Sequence, residues 1–406
     1  MSDAPPCPPK GLRTRRIVPA VLATAAAIAA IVLTPAPALA VPNGSETVTV
    51  GTRPVDVTFN VPGNDAQWDQ AARLIRDATP GSTARIAIYN LTSTLVRDAI
   101  REAVGDGVNV YVVANGEHHE GATNMLDGLK SLLGARFKWC DADRTSSNAN
   151  DACISNDPSG LMHAKYMTFS QTRGRAGALR NNVVWVSSAN FSGSGKDLYN
   201  NSVTVYDDSA LYSGFLSDVW NPMWNNTSYA DNDYYNVSLN RGYFSSGASS
   251  STVYVSPEQT TDLWENRLDY VDPDSSCRIR VMHNVFNDTR IAVARKLREL
   301  ARGGCVIRVI AATIQSDIRA TLNHPNISIR RAAVHDKTIL INSKYAGSST
   351  NRFNVFTGSH NLTQSALQRN DEIIIRLADS KPLHDLFVEH FQRAWADGTD
   401  VPGGSS

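Results

Sequence analysis

The sequence predicts an α/β protein built from two similar lobes, each a mixed β-sheet flanked by helices and related to the other by a pseudo-two-fold axis. Two observations lead to this fold class. First, the order strand, helix, glycine break, strand occurs near residue 85 and again near residue 278. Second, five landmarks recur in register: His163, Lys165, Ser188, Asn190 and Trp220 match His335, Lys337, Ser359, Asn361 and Trp395, at offsets of 172, 172, 171, 171 and 175 residues. Such a register indicates an internal duplication.

Each copy of this order predicts a βαβ unit. Apolar residues alternate in the two strands and recur at helical spacing between them. The first unit covers 85–89, 95–104 and 108–113, and the second covers 278–282, 291–301 and 306–310. Because such crossovers join parallel strands with a right-handed connection, helices are expected on both faces of each sheet.

The first forty residues predict a signal peptide. Basic residues precede the apolar run 17–33, and Ala38-Leu39-Ala40 follows as a cleavage signal. We therefore expect a secreted, extracellular protein, cleaved near Ala40. An uncleaved membrane anchor is the alternative, although the apolar run is short for a spanning helix and Pro19 interrupts it.

The rest of the chain is expected to form an N-terminal lobe of residues 41–245 and a C-terminal lobe of residues 246–406. The serine-rich stretch 245–251 is interpreted as a flexible connection between them. Residues 1–40 carry four basic residues and one acidic residue, which leaves 35 basic against 38 acidic residues in the remainder. Since proteins that grip an extended polyanion are usually basic, nucleic acid is a less expected partner. We expect a monomer.

Four cysteines remain after residue 40, and an even number in an exported chain suggests disulfides. They allow three pairings. We favour Cys140 with Cys153 and Cys277 with Cys305, because each pair then lies within one lobe. A zinc site is the alternative, but no two of these cysteines have the short spacing of a zinc knuckle.

The two His-x-Lys elements are the main candidates for chemistry. Alternation places His163 and Lys165 on one face of a strand, and it does the same for His335 and Lys337. A two-fold arrangement of the halves brings two imidazoles and two ammonium groups to one cleft.

These groups suit the cleavage of a phosphate diester. The lysines and the amides of Asn190 and Asn361 are expected to hold the anion. One neutral histidine attacks phosphorus to give a phosphohistidine, and a protonated histidine donates a proton to the leaving alkoxide. We expect no metal and no cofactor.

The paired His-x-Lys elements, each followed by Ser-x-Asn, resemble the signature of the phospholipase D superfamily. The stretch 358–363 together with Asn370-Asp371-Glu372 is especially similar to it. The resemblance covers most of the chain after residue 40. It implies two phospholipase D-like α/β/α sandwich lobes with the active site between them. It also implies that His163 is the nucleophile and His335 the general acid.

The sequence departs from this family pattern at two kinds of position. An aspartate usually follows the lysine after five residues, and here Ser170 and Asn342 stand there. In addition, the first copy is interpreted as having Asn201 where the second has Glu372. The missing aspartates are expected to affect the level of activity rather than the chemical groups of the site.

Further residues are candidates for substrate binding. Ser188 and Ser359 belong to the Ser-x-Asn elements, and His118 and His283 follow or end strands of the βαβ units, where ligand sites of α/β folds gather. An exposed loop position for His118 and a structural role for His283 are the alternatives. The aromatic-rich stretch 221–244 is either a substrate lip or a segment that packs over the junction of the lobes.

Phospholipase D or phosphatidyltransferase activity on extracellular phospholipid is the leading functional hypothesis, with transient contact to a membrane surface. A nuclease, or a phosphodiesterase of a wall polymer such as teichoic acid, is the second hypothesis, because these substrates share the diester linkage. A catalytically silent binding protein is the third.

Overall fold

The computed structural model describes residues 44–116, 125–140 and 150–401. The predicted signal peptide, residues 1–40, and the candidate His118 lie outside these residues. Within the described part of the chain, no helix is both long enough and apolar enough to cross a membrane.

The first mixed sheet is formed by residues from the first half of the chain. Its strands, within the described ranges, are β1 (Gly44–Val50), β2 (Arg53–Asn60), β3 (Thr83–Ile88), β4 (Asn109–Ala114), β5 (Phe137–Trp139), β6 (Tyr166–Arg173), β7 (Leu179–Ser187) and β8 (Asn200–Val205). The helices that accompany them are α1 (Ala66–Arg76), α2 (Thr94–Gly105), α3 (Met125–Leu133), α4 (Ser209–Phe215) and α5 (Asn221–Trp224). A π-helical turn, Leu216–Trp220, joins the last two helices.

The second mixed sheet is formed by the second half. Its strands are β9 (Tyr243–Ser246), β10 (Ser251–Val255), β11 (Val271–Asp272), β12 (Arg278–Phe286), β13 (Val306–Ile314), β14 (Ile327–Arg331), β15 (Lys337–Tyr345), β16 (Asn351–Gly358), β17 (Ile373–Ala378) and β18 (Thr399–Asp400). The helices are α6 (Leu263–Asp269), α7 (Ile291–Arg302), α8 (Ser316–Thr321), α9 (Gln364–Gln368) and α10 (Lys381–Asp397).

The two sheets share one topology, which confirms the predicted fold class. The first sheet has the order β1-β2-β8-β7-β6-β3-β4-β5, and the second contains the matching run β10-β17-β16-β15-β12-β13-β14. The parallel pairs β3 with β4 and β12 with β13 are the predicted βαβ units. Helices α2 and α7 are the crossovers between these strands, and each turns an apolar face to a buried cluster.

A continuous apolar layer joins the two halves. Phe59 and Val203 of the first half lie in the same buried cluster as Val355 and Phe387 of the second. Separate clusters cover the outer face of each sheet and hold α1 and α2 in the first half and α7 in the second. The shared layer fixes the two sheets relative to each other, and thereby the groups that meet between them.

Both predicted disulfides are confirmed: Cys140 is bonded to Cys153, and Cys277 to Cys305. All four sulfur atoms are therefore used in disulfides rather than in a zinc site.

Replacing both Cys140 and Cys153 by alanine should lower the free energy of unfolding by about 3 kcal/mol, because the unfolded chain regains the entropy of a short closed loop. Denaturant unfolding of this double variant beside the wild type measures the change, and an unaltered free energy would contradict the expectation.

The stretch 221–244 packs over the junction of the two halves, as one of the two interpretations expected. The side-chain Nδ2 of Asn232 donates to the backbone carbonyl of Gln368 at 2.9 Å. The side-chain Oδ1 of Asn232 accepts from the backbone amide of Asn156 at 2.9 Å. After this stretch, the serine-rich residues form the turn of the hairpin β9–β10 rather than a free connection. The predicted boundary at residues 245 and 246 falls inside β9 and stays a prediction.

Candidate active site

The two His-x-Lys elements lie at the start of equivalent strands. Lys337 is the first residue of β15, and Lys165 comes directly before β6. The two histidines therefore stand just before the strands rather than on them, which corrects the expected placement. The ammonium group of each lysine donates to the backbone carbonyl of the histidine two residues before it, at 2.5 Å in both copies.

Each histidine is held by the opposite half of the molecule. The His163 amide donates to the Asp371 carbonyl at 3.0 Å, and the His335 amide donates to the Tyr199 carbonyl at 2.8 Å. The carboxylate of Asp371 also accepts from the backbone amides of residues 153, 154 and 155, at 2.6, 3.1 and 2.8 Å. These reciprocal bonds bring the two predicted pairs together in one site.

Glu372 orients the ring of His163. Its two carboxylate oxygens lie 2.8 and 2.9 Å from Nδ1 of that histidine. Burial opposes the charge on Glu372, but His163 and Lys165 overcome this and lower the pKa of the carboxyl to about 2. An ionised carboxylate at Nδ1 keeps the proton there, so that Nε2 presents its lone pair.

Asn200 takes the corresponding place beside His335. Its side-chain oxygen lies 2.9 Å from Nδ1 of His335. The same offset of 172 residues relates Asn200 to Glu372 and Tyr199 to Asp371 in their backbone contacts. The expectation that Asn201 corresponds to Glu372 was therefore wrong by one residue. Asn201 instead turns behind the site and hydrogen-bonds to Asp336 and Thr338.

The two lysines form the positive part of the site and are almost fully buried. Burial lowers the pKa of Lys165 to about 7, with Glu372 opposing that shift. Burial and the charge of Lys165 lower the pKa of Lys337 well below its ordinary value. An anionic diester between these groups would offset their mutual repulsion and favour their charged forms.

The histidines also respond to the lysines across the site. Burial lowers the pKa of His163, and Lys165 and Lys337 lower it further, while Glu372 opposes the shift. Burial is the main cause that lowers the pKa of His335 well below its ordinary range, and the charges of Lys337 and Lys165 lower it further. Each histidine therefore lies within electrostatic reach of both lysines.

The carboxamides of Asn190 and Asn361 follow the ends of β7 and β16, as predicted. In both residues Oδ1 is buried and has no hydrogen-bond partner in the described part of the chain. Gly358 ends β16 at φ +150°, and a Cβ there would collide with the Ile373 carbonyl, because β17 passes so close. The equivalent position in the first copy holds Ser187, whose hydroxyl donates to Gln67 at 2.7 Å.

Three of the predicted substrate-binding residues, Ser188, Ser359 and His283, lie in the described part of the chain, and all three are buried. The Ser188 hydroxyl accepts from the Asn201 amide at 2.9 Å, and the Ser359 hydroxyl accepts from the Ile373 amide at 3.0 Å. Both serines thus tie neighbouring strands together. His283 pairs with Lys337 across β12 and β15, is fully buried, and burial lowers its pKa well below the ordinary value. A role for these residues in substrate binding stays a prediction.

Tyr89 is a site residue that the sequence analysis did not identify. Its ring lies edge-on to His163 with 4.8 Å between centroids, and the Lys165 ammonium lies 5.0 Å from the ring centroid. The residue immediately follows β3, whose end was visible in the sequence. Two features of the sequence could have identified Tyr89 as a site residue: its position at the end of a strand of the first βαβ unit and its aromatic side chain.

Ser170 and Asn342, where the family usually has aspartate, lie away from the two His-x-Lys pairs. Each is five residues from its lysine, which is roughly 16 Å along a strand. The Ser170 hydroxyl accepts from the Thr83 amide at 2.9 Å, and the Asn342 carbonyl accepts from the Asn351 amide group at 3.1 Å. Ser170 and Asn342 therefore form hydrogen bonds within the two sheets.

Replacing Asn200 by aspartate should raise the pKa of His335, because a carboxylate then takes the place of a neutral amide at Nδ1. The rise is expected to be about one unit or more. If His335 must be protonated to act, the alkaline limb of kcat/KM moves to higher pH. The pH profile of the variant beside the wild type measures this shift, and superimposable alkaline limbs would contradict it.

Comparisons with known proteins agree with this geometry. A family model described as "Cardiolipin synthase, PLD-like domain" matches residues 72–223 and 273–395. No curated protein matches the chain.

Solved structures share the fold at low sequence identity. A phosphatidylserine synthase from Haemophilus influenzae Rd KW20 is 11% identical with a TM-score of 0.57, covering 89% of this chain and 90% of that one. A polyphosphate kinase from Porphyromonas gingivalis is 13% identical with a TM-score of 0.56, covering 86% of this chain but only 48% of the kinase. The family match extends over both lobes and includes all four residues of the His-x-Lys pairs, and so the chain belongs to the phospholipase D superfamily, whose enzymes cleave or transfer phosphodiester groups.

Proposed function

We propose that this protein is a phosphodiesterase or phosphatidyltransferase that acts on phospholipid through a phosphohistidine on His163. The observation that carries the proposal is the unequal support of the two histidines. His163 has a carboxylate at Nδ1, and His335 has a neutral amide. A carboxylate stabilises the positive imidazole ring that forms when Nε2 binds phosphorus, which suits a nucleophile.

In the first step, Nε2 of His163 attacks phosphorus while the bond from phosphorus to the head-group oxygen breaks. His335 donates its proton to that leaving oxygen and becomes neutral. Lys165 and Lys337 hold the non-bridging oxygens through charge-assisted hydrogen bonds. In the second step, water or an alcohol attacks phosphorus, gives its proton to His335, and releases His163.

Phospholipid is favoured over nucleic acid as the substrate by the charge of the chain. After residue 40 the chain carries 35 basic and 38 acidic residues, whereas proteins that bind long polyanions usually carry a basic excess. The matching family model and one structure of the same fold carry the names of phospholipid synthases.

We also propose that the protein acts outside the cell after removal of residues 1–40. The arrangement of basic residues, apolar run and Ala38-Leu39-Ala40 supports export. The two disulfides support it independently, because such bonds persist in oxidising compartments. Sequencing the N-terminus of the protein from culture medium tests this, with a start near Val41 as the expected result.

The substrate is tested by incubating the chain from Val41 with phosphatidylcholine and with phosphatidylglycerol, each with and without ethanol. Release of head group is the expected result, and a phosphatidylethanol product would show transfer to an alcohol. Cleavage of single-stranded oligonucleotide or purified teichoic acid, with both lipids intact, would replace the lipid proposal by the second hypothesis. Binding of a diester without turnover of any of these substrates would favour the silent binding protein.

A further inference from the structure

Three arginines line a cavity on the α10 side of the second sheet. Arg280 and Arg308 are partners across the parallel strands β12 and β13, roughly 5 Å apart at Cα, and Arg278 lies two residues earlier on the same face as Arg280. Gln392 of α10 completes the polar lining of this cavity, whose volume is about 220 Å³. We call Arg278, Arg280 and Arg308 the arginine cluster.

The arginine cluster has little compensation by negative charge. Within the described ranges, none of its three guanidinium groups forms an ion pair with a carboxylate. Asp385 is a nearby acid that acts on Arg280, but its carboxylate is paired with Lys381 at 2.5 Å. Nε of Arg280 is buried and has no hydrogen-bond partner among the residues that the structure describes. Mutual repulsion and the unmet hydrogen bond are both costs that an anion in the cavity would offset.

The remaining contacts hold the cluster in place rather than neutralise it. Arg278 donates to the carbonyl oxygens of Ser275 and Cys277, at 2.7 and 2.8 Å. The guanidinium carbon of Arg308 lies 5.4 Å from the ring centroid of Trp395. These contacts orient the guanidinium groups of Arg278 and Arg308 in advance, which lowers the entropy cost of binding a ligand.

The first lobe provides an internal comparison, because it has the same strands with different side chains. Arg85 corresponds to Arg280, and its partner on the next strand is Tyr111 where the second lobe has Arg308. Arg85 donates to the Tyr212 hydroxyl at 3.2 Å and lies 6.0 Å from the rings of Tyr111 and Trp220. A single arginine is thus covered by aromatic side chains in one lobe, whereas the other lobe has three arginines around a cavity.

We propose that the arginine cluster is a binding site for a phosphate group, separate from the catalytic site. Guanidinium groups match the geometry of phosphate oxygens, and a tetrahedral dianion can accept from several forks at once. The cavity is smaller than one for a drug-sized ligand and suits a phosphate group with a few attached atoms. Arg278 lies five residues before His283, the partner of Lys337, and so roughly 16 Å along β12 from the catalytic end.

Titration calorimetry with inorganic phosphate tests the site. The wild type should show two phosphate sites, because the catalytic lysines also bind the anion. Arg280→Gln and Arg308→Gln should each weaken one site by about tenfold or more and leave the other unchanged. Lys337→Met should no longer bind phosphate at the catalytic site but should still bind it at the arginine cluster. Arg302→Gln, an exposed arginine at the end of α7, is the matched control and should bind as the wild type does.

Unchanged phosphate binding in Arg280→Gln and Arg308→Gln, or no binding in folded Lys337→Met, would overturn the proposal. Thermal unfolding of each variant shows whether it is folded. Arg308→Lys keeps the charge but loses the fork, and should bind with intermediate affinity.

The source of the phosphate group is distinguished by sedimentation with vesicles of phosphatidylcholine and phosphatidylglycerol. Loss of vesicle binding in Arg308→Gln assigns the site to a lipid phosphate. Wild-type vesicle binding combined with lost phosphate binding assigns it to a soluble phosphate compound. The calorimetric result does not depend on turnover, and so a failure of the proposed enzyme activity would leave this inference standing.

Discussion

Replacing His163 by alanine should reduce kcat by at least about 10⁴-fold, because no other group at this position can attack phosphorus. Replacing His335 by alanine should cost about 10² to 10⁴-fold, the usual contribution of a positioned acid and base. Both effects are expected in kcat rather than in KM, since the lysines and asparagines that hold the anion remain. Steady-state kinetics of both variants on the best phospholipid measures these losses.

The two histidines should differ when the leaving group is changed. A phosphate diester of p-nitrophenol releases p-nitrophenolate, a stable anion that needs little help from an acid to leave. His335→Ala should therefore recover much of its first-step rate with this substrate, whereas His163→Ala should not. His324→Ala, which alters a partly exposed histidine away from the site, is the control. Equal rescue of both variants would exclude distinct roles for His163 and His335.

Replacing Glu372 by glutamine should lower kcat by about 10³-fold with a smaller change in KM. The carboxylate lies 2.8 Å from Nδ1 of His163. In the proposed mechanism it fixes the proton on Nδ1 and stabilises the positive ring of the intermediate. An amide can donate to Nδ1 and so favour the wrong tautomer.

The same substitution should also shift the pH profile. Glu372 raises the pKa of His163, and so its removal lowers that pKa. Because a nucleophile must be neutral, the acidic limb of kcat/KM should move to lower pH. Glu258→Gln, a second buried glutamate outside the site, whose pKa burial raises to about 7, is the matched control and should have nearly wild-type kinetics. A Glu372→Gln enzyme with wild-type kcat and pH profile would contradict the role of the carboxylate.

The duplication made most of the fold predictable. Alternating and helical spacing marked β3, α2, β4 and their counterparts β12, α7 and β13, and the structure has all six. The pairing of the cysteines followed from keeping each disulfide within one lobe. The sequence did not reveal the outer strands β1 and β2. Strand β1 pairs with β2, and the position of β2 depends on pairing with β8, which lies far along the chain.

The partners of the histidines were harder to predict. Glu372 was visible in the Asn370-Asp371-Glu372 element, but only the packing of the halves shows that it meets His163 of the other copy. Asn200 was missed because the loops after the Ser-x-Asn elements differ in length by one residue. The offset of 171 residues between the Ser-x-Asn elements selects Asn201, whereas the backbone contacts select Asn200.

Ser170 and Asn342 show why the departure from the family pattern was difficult to interpret from sequence. The family resemblance suggested that their replacement affects the level of activity rather than the chemical groups of the site. The structure places them near the middle of β6 and β15, where they complete contacts within each sheet. The catalytic groups of the site are thus retained despite the missing aspartates.

In the proposed mechanism, both halves of the molecule form one active site in which His163 carries the phosphoryl intermediate. Rapid quenching of the wild type during turnover of a phospholipid, followed by peptide mass spectrometry, tests it most directly. We expect a base-stable, acid-labile adduct on the peptide that contains His163. This adduct should be absent in His163→Ala and strongly reduced in Glu372→Gln. An adduct on His335, or steady turnover with no adduct on either histidine, would contradict it.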